Sequence, residues 1–156
     1  MRFKNFQIWR GRLPHWRADD VTYYVTFRFG RALDDIERDW LFKELLRAQN
    51  KQFEYQIVCV LPETAELMFK VHGVEDGRPV ELARVIESAK RKAGKRVVKA
   101  TGERFPPFFA ESYDRIVRDE AEFEERWMAI LESPVRNELA EEPEEYATIW
   151  VAGRDP

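Results

Sequence analysis

Two alternating segments joined by nothing more than Pro62-Glu63 constrain this chain most. Residues 52–61 place Phe53, Tyr55, Ile57, Cys59 and Leu61 in alternation, and residues 64–72 place Ala65, Leu67, Phe69 and Val71 on one face. Strand side chains alternate with period two, and so short a link closes only an antiparallel hairpin. Ahead of the hairpin, Val21–Phe29 (VTYYVTFRF) reads as a third strand. Val21, Tyr23, Val25, Phe27 and Phe29 share one face; Thr22, Tyr24, Thr26 and Arg28 share the other. Gly30 ends that run, and Asp34 or Asp35 suits the N-cap of a helix over 35–49. Its inward stripe is expected to be Ile36, Trp40, Leu41, Leu45 and Leu46.

Beyond the hairpin, Pro79 is placed to open a helix over about 79–93, burying Leu82, Val85, Ile86 and Ala89 and extending past Gly94 if the glycine is tolerated. A loop with Pro106-Pro107 leads to a strand over about 109–118. An acidic helix follows from Glu120 to Leu131, with Phe123, Trp127 and Ile130 inward, and Pro134 is expected to start a further short helix. The order β-α-β-β-α-β-α predicts an α+β fold, a ferredoxin-like split β-α-β sandwich. Its antiparallel sheet should carry helices mainly on one face, with extra C-terminal helices. The second sheet face, polar in part, is where a site is expected.

One domain over 1–156 is expected, with a basic segment at 1–20 and a C-terminal tail at 143–156. Cys59 is the only cysteine, so no intramolecular disulfide can form, and its alternation with apolar neighbours reads as burial. His15 and His72 are the only histidines, too few for a multi-histidine metal site. No apolar run approaches a membrane span and the first residues lack a signal-peptide pattern, so a cytoplasmic location is expected. The net charge of −3 is unevenly spread. Residues 1–31 carry seven basic side chains against two acids, and residues 84–104 carry eight against two. Residues 111–145 reverse this, with four arginines against thirteen acids. Two basic zones could therefore face a polyanion while the acidic third faces away.

Several segments in order resemble the single-tyrosine HUH transposases, and most of all their REP-associated (RAYT-like) branch. Arg12-Leu13-Pro14-His15-Trp16 followed by Thr22–Arg28 resembles the start of that family's domain. Val60–Met68 (VLPETAELM) stands where the family reads V-M-P-N-H-V-H-L-L. Phe108–Glu120 resembles its F-W-Q-R-x-Y-x-D-R-V-I-R-D-E segment. Ala129–Arg136 is similar to Y-I-x-x-N-P-V-K, and Glu142–Tyr146 to R-P-E-D-Y. The resemblance implies recognition of single-stranded or hairpin DNA. It also implies a Mg²⁺ or Mn²⁺ held by two histidines and a third ligand, and a tyrosine that attacks the scissile phosphate.

At all four of those positions this chain differs. Thr64 and Glu66 stand for the two histidines, Ala129 for the tyrosine and Ser133 for the third ligand. The expectation is therefore a transposase-like DNA-binding protein without catalytic residues, metal or cofactor, acting as a monomer. Arg10, Arg12, Trp16, Arg17, Lys90, Arg91, Lys92, Lys95, Arg96 and Lys99 are the expected nucleic-acid contacts. Two other readings stay open. One is a repurposed protein-interaction domain that uses the acidic helix or the open sheet face. The other is a displaced metal-dependent nicking site built on Tyr113, with Asp114, Glu66 or Glu111 as ligands.

Overall fold

The computed structural model describes residues 21–49, 53–71, 82–109 and 112–152. The elements in order are β1 (Val21–Arg28), α1 (Asp35–Arg47), β2 (Phe53–Val60), β3 (Thr64–Val71), α2 (Leu82–Thr101), β4 (Tyr113–Val117), α3 (Glu120–Arg136), a 3-10 turn (Pro143–Glu145) and β5 (Ile149–Val151). The sheet runs β4-β1-β3-β2-β5 with every neighbouring pair antiparallel. Its first four strands hold the order of a split β-α-β sandwich, and the tail adds the fifth against β2.

Two apolar clusters sandwich the sheet. On one face Val25, Phe27, Leu67 and Phe69 meet Leu41 and Leu45 of α1 and Ile86, Ala89 and Ala93 of α2. On the other, Ile57, Cys59 and Met68 meet Phe123, Trp127 and Ile130 of α3. Two helices thus share one face, and α3 covers much of the face expected to be partly polar.

Several expectations need correction, each for a local physical reason. The alternation of β2 is broken by a bulge, because its register passes from Tyr55↔Phe69 to Ile57↔Met68. The extra residue turns Tyr55 toward α1 and α2 while Ile57 and Cys59 face α3. In α1, Ile36 is 62% exposed and Glu37 is buried instead. Glu37 closes a capping box with Asp34 and accepts two hydrogen bonds from Arg31, so its carboxylate is fully served there. Helix α2 runs through Gly94 to Thr101. A Cβ on Gly94 would come within 2.9 Å of Pro106, so glycine lets the following loop pack back on the helix.

Pro134 does not start a helix but lies inside α3. It has no N–H for the carbonyl of Ile130, four residues back. The Ser133 hydroxyl donates to that carbonyl instead, at 2.8 Å. Of the expected C-terminal helices, α3 forms and absorbs the one expected at Pro134; beyond it there is only the 3-10 turn, and the tail becomes β5. Among the described residues no helix is long and apolar enough to cross a membrane.

Candidate functional site

Strand register places Tyr113, Thr26, Glu66 and Cys59 side by side across β4, β1, β3 and β2, on the face that α3 crosses. Ser133 is fully buried above this row, with Oγ 3.7 Å from Cys59 Sγ. Burial pushes the Glu66 carboxyl above its ordinary pKa, with the Arg136 charge and the neighbouring Ser133 hydroxyl pulling against it. Burial also raises the Cys59 thiol to about 12, so it stays protonated and inert at neutral pH. Thr64 precedes Glu66 by two residues on the same face, and its buried hydroxyl has no hydrogen-bond partner among the described residues. Ala129 lies one turn before Ser133 on α3 and is exposed. The fold thus brings Glu66 and Ser133 together, with Thr64 and Ala129 at the margins.

This donor set does not fit a hard divalent cation. Mg²⁺ and Mn²⁺ favour six oxygen ligands, usually with ionised carboxylates. Here one carboxyl is inclined to hold its proton, beside a hydroxyl already donated to a backbone carbonyl. No group of three or more His, Cys, Asp or Glu side chains suited to a metal occurs among the described residues.

Tyr113 shares its face with Glu66 but lies two strands away, roughly 10 Å by strand spacing. Asp114 alternates to the opposite face, so the row that carries Tyr113 and Glu66 does not include it. Tyr113 instead meets Tyr24 edge-on, with ring centroids 6.4 Å apart, and the Arg126 guanidinium caps Tyr24 at 4.4 Å. Burial raises the Tyr24 hydroxyl above its ordinary pKa, helped by the Glu66 charge and opposed by Arg126. Neither this Tyr24–Arg126 contact nor its support of Tyr113 was among the expected features. The pairing spans two elements, and no local spacing announces it. His15, His72, Glu111, Arg10, Arg12, Trp16 and Arg17 lie outside the described residues.

The basic surface is on α2, across the sheet from Glu66 and Ser133. Arg91, Lys92, Lys95, Arg96 and Lys99 are all exposed, and Arg96 lies over the Trp40 ring of α1 at 5.6 Å. Lys90 departs from expectation. It is 5% exposed, donates to the Phe109 carbonyl at 3.0 Å and sits 4.5 Å over the Phe27 ring. Its ammonium is held by the Phe109 carbonyl rather than presented to the surface, and burial lowers its pKa against the opposing charge of Glu87. On the opposite side, the first turn of α3 presents Glu120 and Glu122 behind the Asp119 cap. Basic and acidic helices are therefore separated by the sheet.

The described geometry can be set beside known proteins. Neither a protein-family model nor a curated protein sequence matches the chain. Among solved structures, the fold is similar to a REP-associated tyrosine transposase bound to a REP hairpin. The TM-score is 0.61 at 15% identity, over 87% of this chain and 81% of that one. A provisionally assigned transposase from Deinococcus radiodurans is similar at TM-score 0.46 and 13% identity, over 81% of this chain and 97% of that one. At such low identity the first likeness defines a class by fold alone: an α+β domain of transposase-like architecture.

Proposed function

We propose that this chain binds DNA, as a hairpin or single strand, and does not cut it. The observation that carries the reading is the row of exposed cations on α2, Arg91, Lys92, Lys95 and Lys99, in a transposase-like fold. No ion pair among the described residues engages these four side chains. Cations spaced along a little over two turns of helix suit a run of phosphates, and their release of counterions drives binding. The fold neighbour was solved with a REP hairpin in place, which supports hairpin DNA as the partner.

The absence of cutting follows from the residues at the four motif positions. Ala129 offers no nucleophile, and Glu66 with Ser133 makes a poor cation site. The reading requires no cofactor, and one copy of the chain suffices for it. Fluorescence anisotropy with a labelled DNA hairpin tests it. Wild type should bind, and the pair Lys92→Glu and Lys95→Glu should weaken binding at least tenfold at 100 mM salt. Equal affinity for the two proteins would refute the role of α2. No binding by wild type would move the account to a protein partner for this domain.

A further inference from the structure

We propose that the groove between the end of β1 and the lead-in to β4 holds one unpaired nucleobase of a bound strand, stacked on Phe109 and Tyr113. The proposal rests on the nucleic-acid reading above. Pairing of β1 with β4 stops at Thr26↔Tyr113, and the chain rejoins β1 only at the Phe29↔Phe108 bridge. A groove of about 440 Å³ lies there, lined by Thr26, Phe27, Arg28, Phe109, Ser112 and Tyr113.

Phe109 and Tyr113 are each 55% exposed, in a chain that buries Phe27, Phe69, Phe123 and Trp127 almost completely. Both residues are held in place. The Phe109 ring faces Gly30, its ring carbons 3.9 and 4.0 Å from where a Cβ would stand, and its backbone carbonyl is held by Lys90. Tyr113 is braced by Tyr24, which is itself capped by Arg126. Rings already held in place lose little freedom when a partner stacks on them.

The rest of the lining argues for a nucleotide over an apolar peptide. Thr26 and Ser112 offer hydroxyls to a base edge, and the exposed Arg28 offers a cation to the adjoining phosphate. Arg28 gives the described lining a cation, which suits a polyanion. Base–aromatic stacking tolerates any base, so the groove should recognise an unpaired position rather than a sequence.

Two probes decide the matter: a blunt DNA hairpin, and the same hairpin with a three-nucleotide unpaired extension carrying 2-aminopurine. Wild type should bind the extended probe more tightly and quench its 2-aminopurine fluorescence. Phe109→Ala and Tyr113→Ala should each weaken the extended probe roughly five- to a hundredfold and leave the blunt one unchanged. Tyr113→Trp keeps a stacking ring and should stay within about twofold of wild type, which separates stacking from misfolding. Lys92→Glu with Lys95→Glu should weaken both probes. Equal wild-type affinity for the two probes, or alanine variants indistinguishable from wild type, would overturn the groove while leaving DNA binding by α2 standing. Failure of wild type to bind either probe would overturn both.

Discussion

Ser133 and Pro134 form a coupled pair whose energetics follow from helix geometry. The Ser133 hydroxyl stands in for the N–H that Pro134 lacks, donating to the carbonyl of Ile130 at 2.8 Å where both residues are buried on α3. Ser133→Ala removes that donor and leaves the carbonyl alone in the core, which costs about 1–3 kcal/mol. With a urea slope of about 2 kcal/mol per molar, a 2 kcal/mol loss lowers the unfolding midpoint by about 1 M. Pro134→Ala restores the backbone N–H, so the carbonyl recovers its ordinary partner. The double variant should therefore lose less than the two single losses predict, by about 1 kcal/mol or more. Urea unfolding of the four proteins, followed by far-ultraviolet circular dichroism, measures that coupling. Additivity within about 0.5 kcal/mol would refute the exchange of donors.

Three further outcomes are expected. Burial raises the Glu66 pKa in the folded protein, so its stability contribution is complete below the unfolded carboxylate pKa and is lost as pH rises through the folded value. Glu66→Gln should thus raise the melting temperature at pH 8 and leave it nearly unchanged at pH 4; the same shift at both would contradict the burial argument. Arg31 lowers the Glu37 carboxyl by hydrogen bonding, a contribution present above the unfolded pKa and lost as pH falls through the folded one. Arg31→Met should cost about 2 kcal/mol at pH 7, discounted for the exposure of Arg31, and far less at pH 3 in denaturant titrations. If Arg91, Lys92, Lys95 and Lys99 each meet one phosphate of duplex stem, log affinity should fall with log salt at a slope of about −3.6. Each alanine substitution should reduce that slope by about 0.9, and a slope that ignores the substitutions would place the contact elsewhere.

The hairpin at Pro62-Glu63 and the alternation of β1 and β3 made the architecture legible, because a buried sheet face stamps period two on the chain. The bulge in β2 was not legible. The alternation of Phe53, Tyr55, Ile57, Cys59 and Leu61 runs on through Val58 and Val60, which are as apolar as their neighbours. With every residue from Tyr55 to Val60 buried, the pattern shows no break where the register slips. Pro134 misled for a related reason: a helix breaker in isolation is tolerated where the preceding serine supplies the missing donor. At the candidate site, the basic run on α2 could be read from composition, but not the withdrawal of Lys90 beneath Phe109. That burial depends on a contact nineteen residues away. The exposed pair Phe109 and Tyr113 was hidden for the opposite reason, since aromatics on a strand read as core until the edge position of β4 is known.

The central claim is binding without cutting, and one assay addresses both halves. Purified protein is mixed with end-labelled DNA hairpins in Mg²⁺ or Mn²⁺, and each sample is resolved on native and on denaturing gels. The account predicts a shifted complex on the native gel and intact, unattached DNA on the denaturing gel. A cleaved strand or a covalent protein–DNA adduct would contradict it, and loss of that product in Tyr113→Phe would identify the nucleophile.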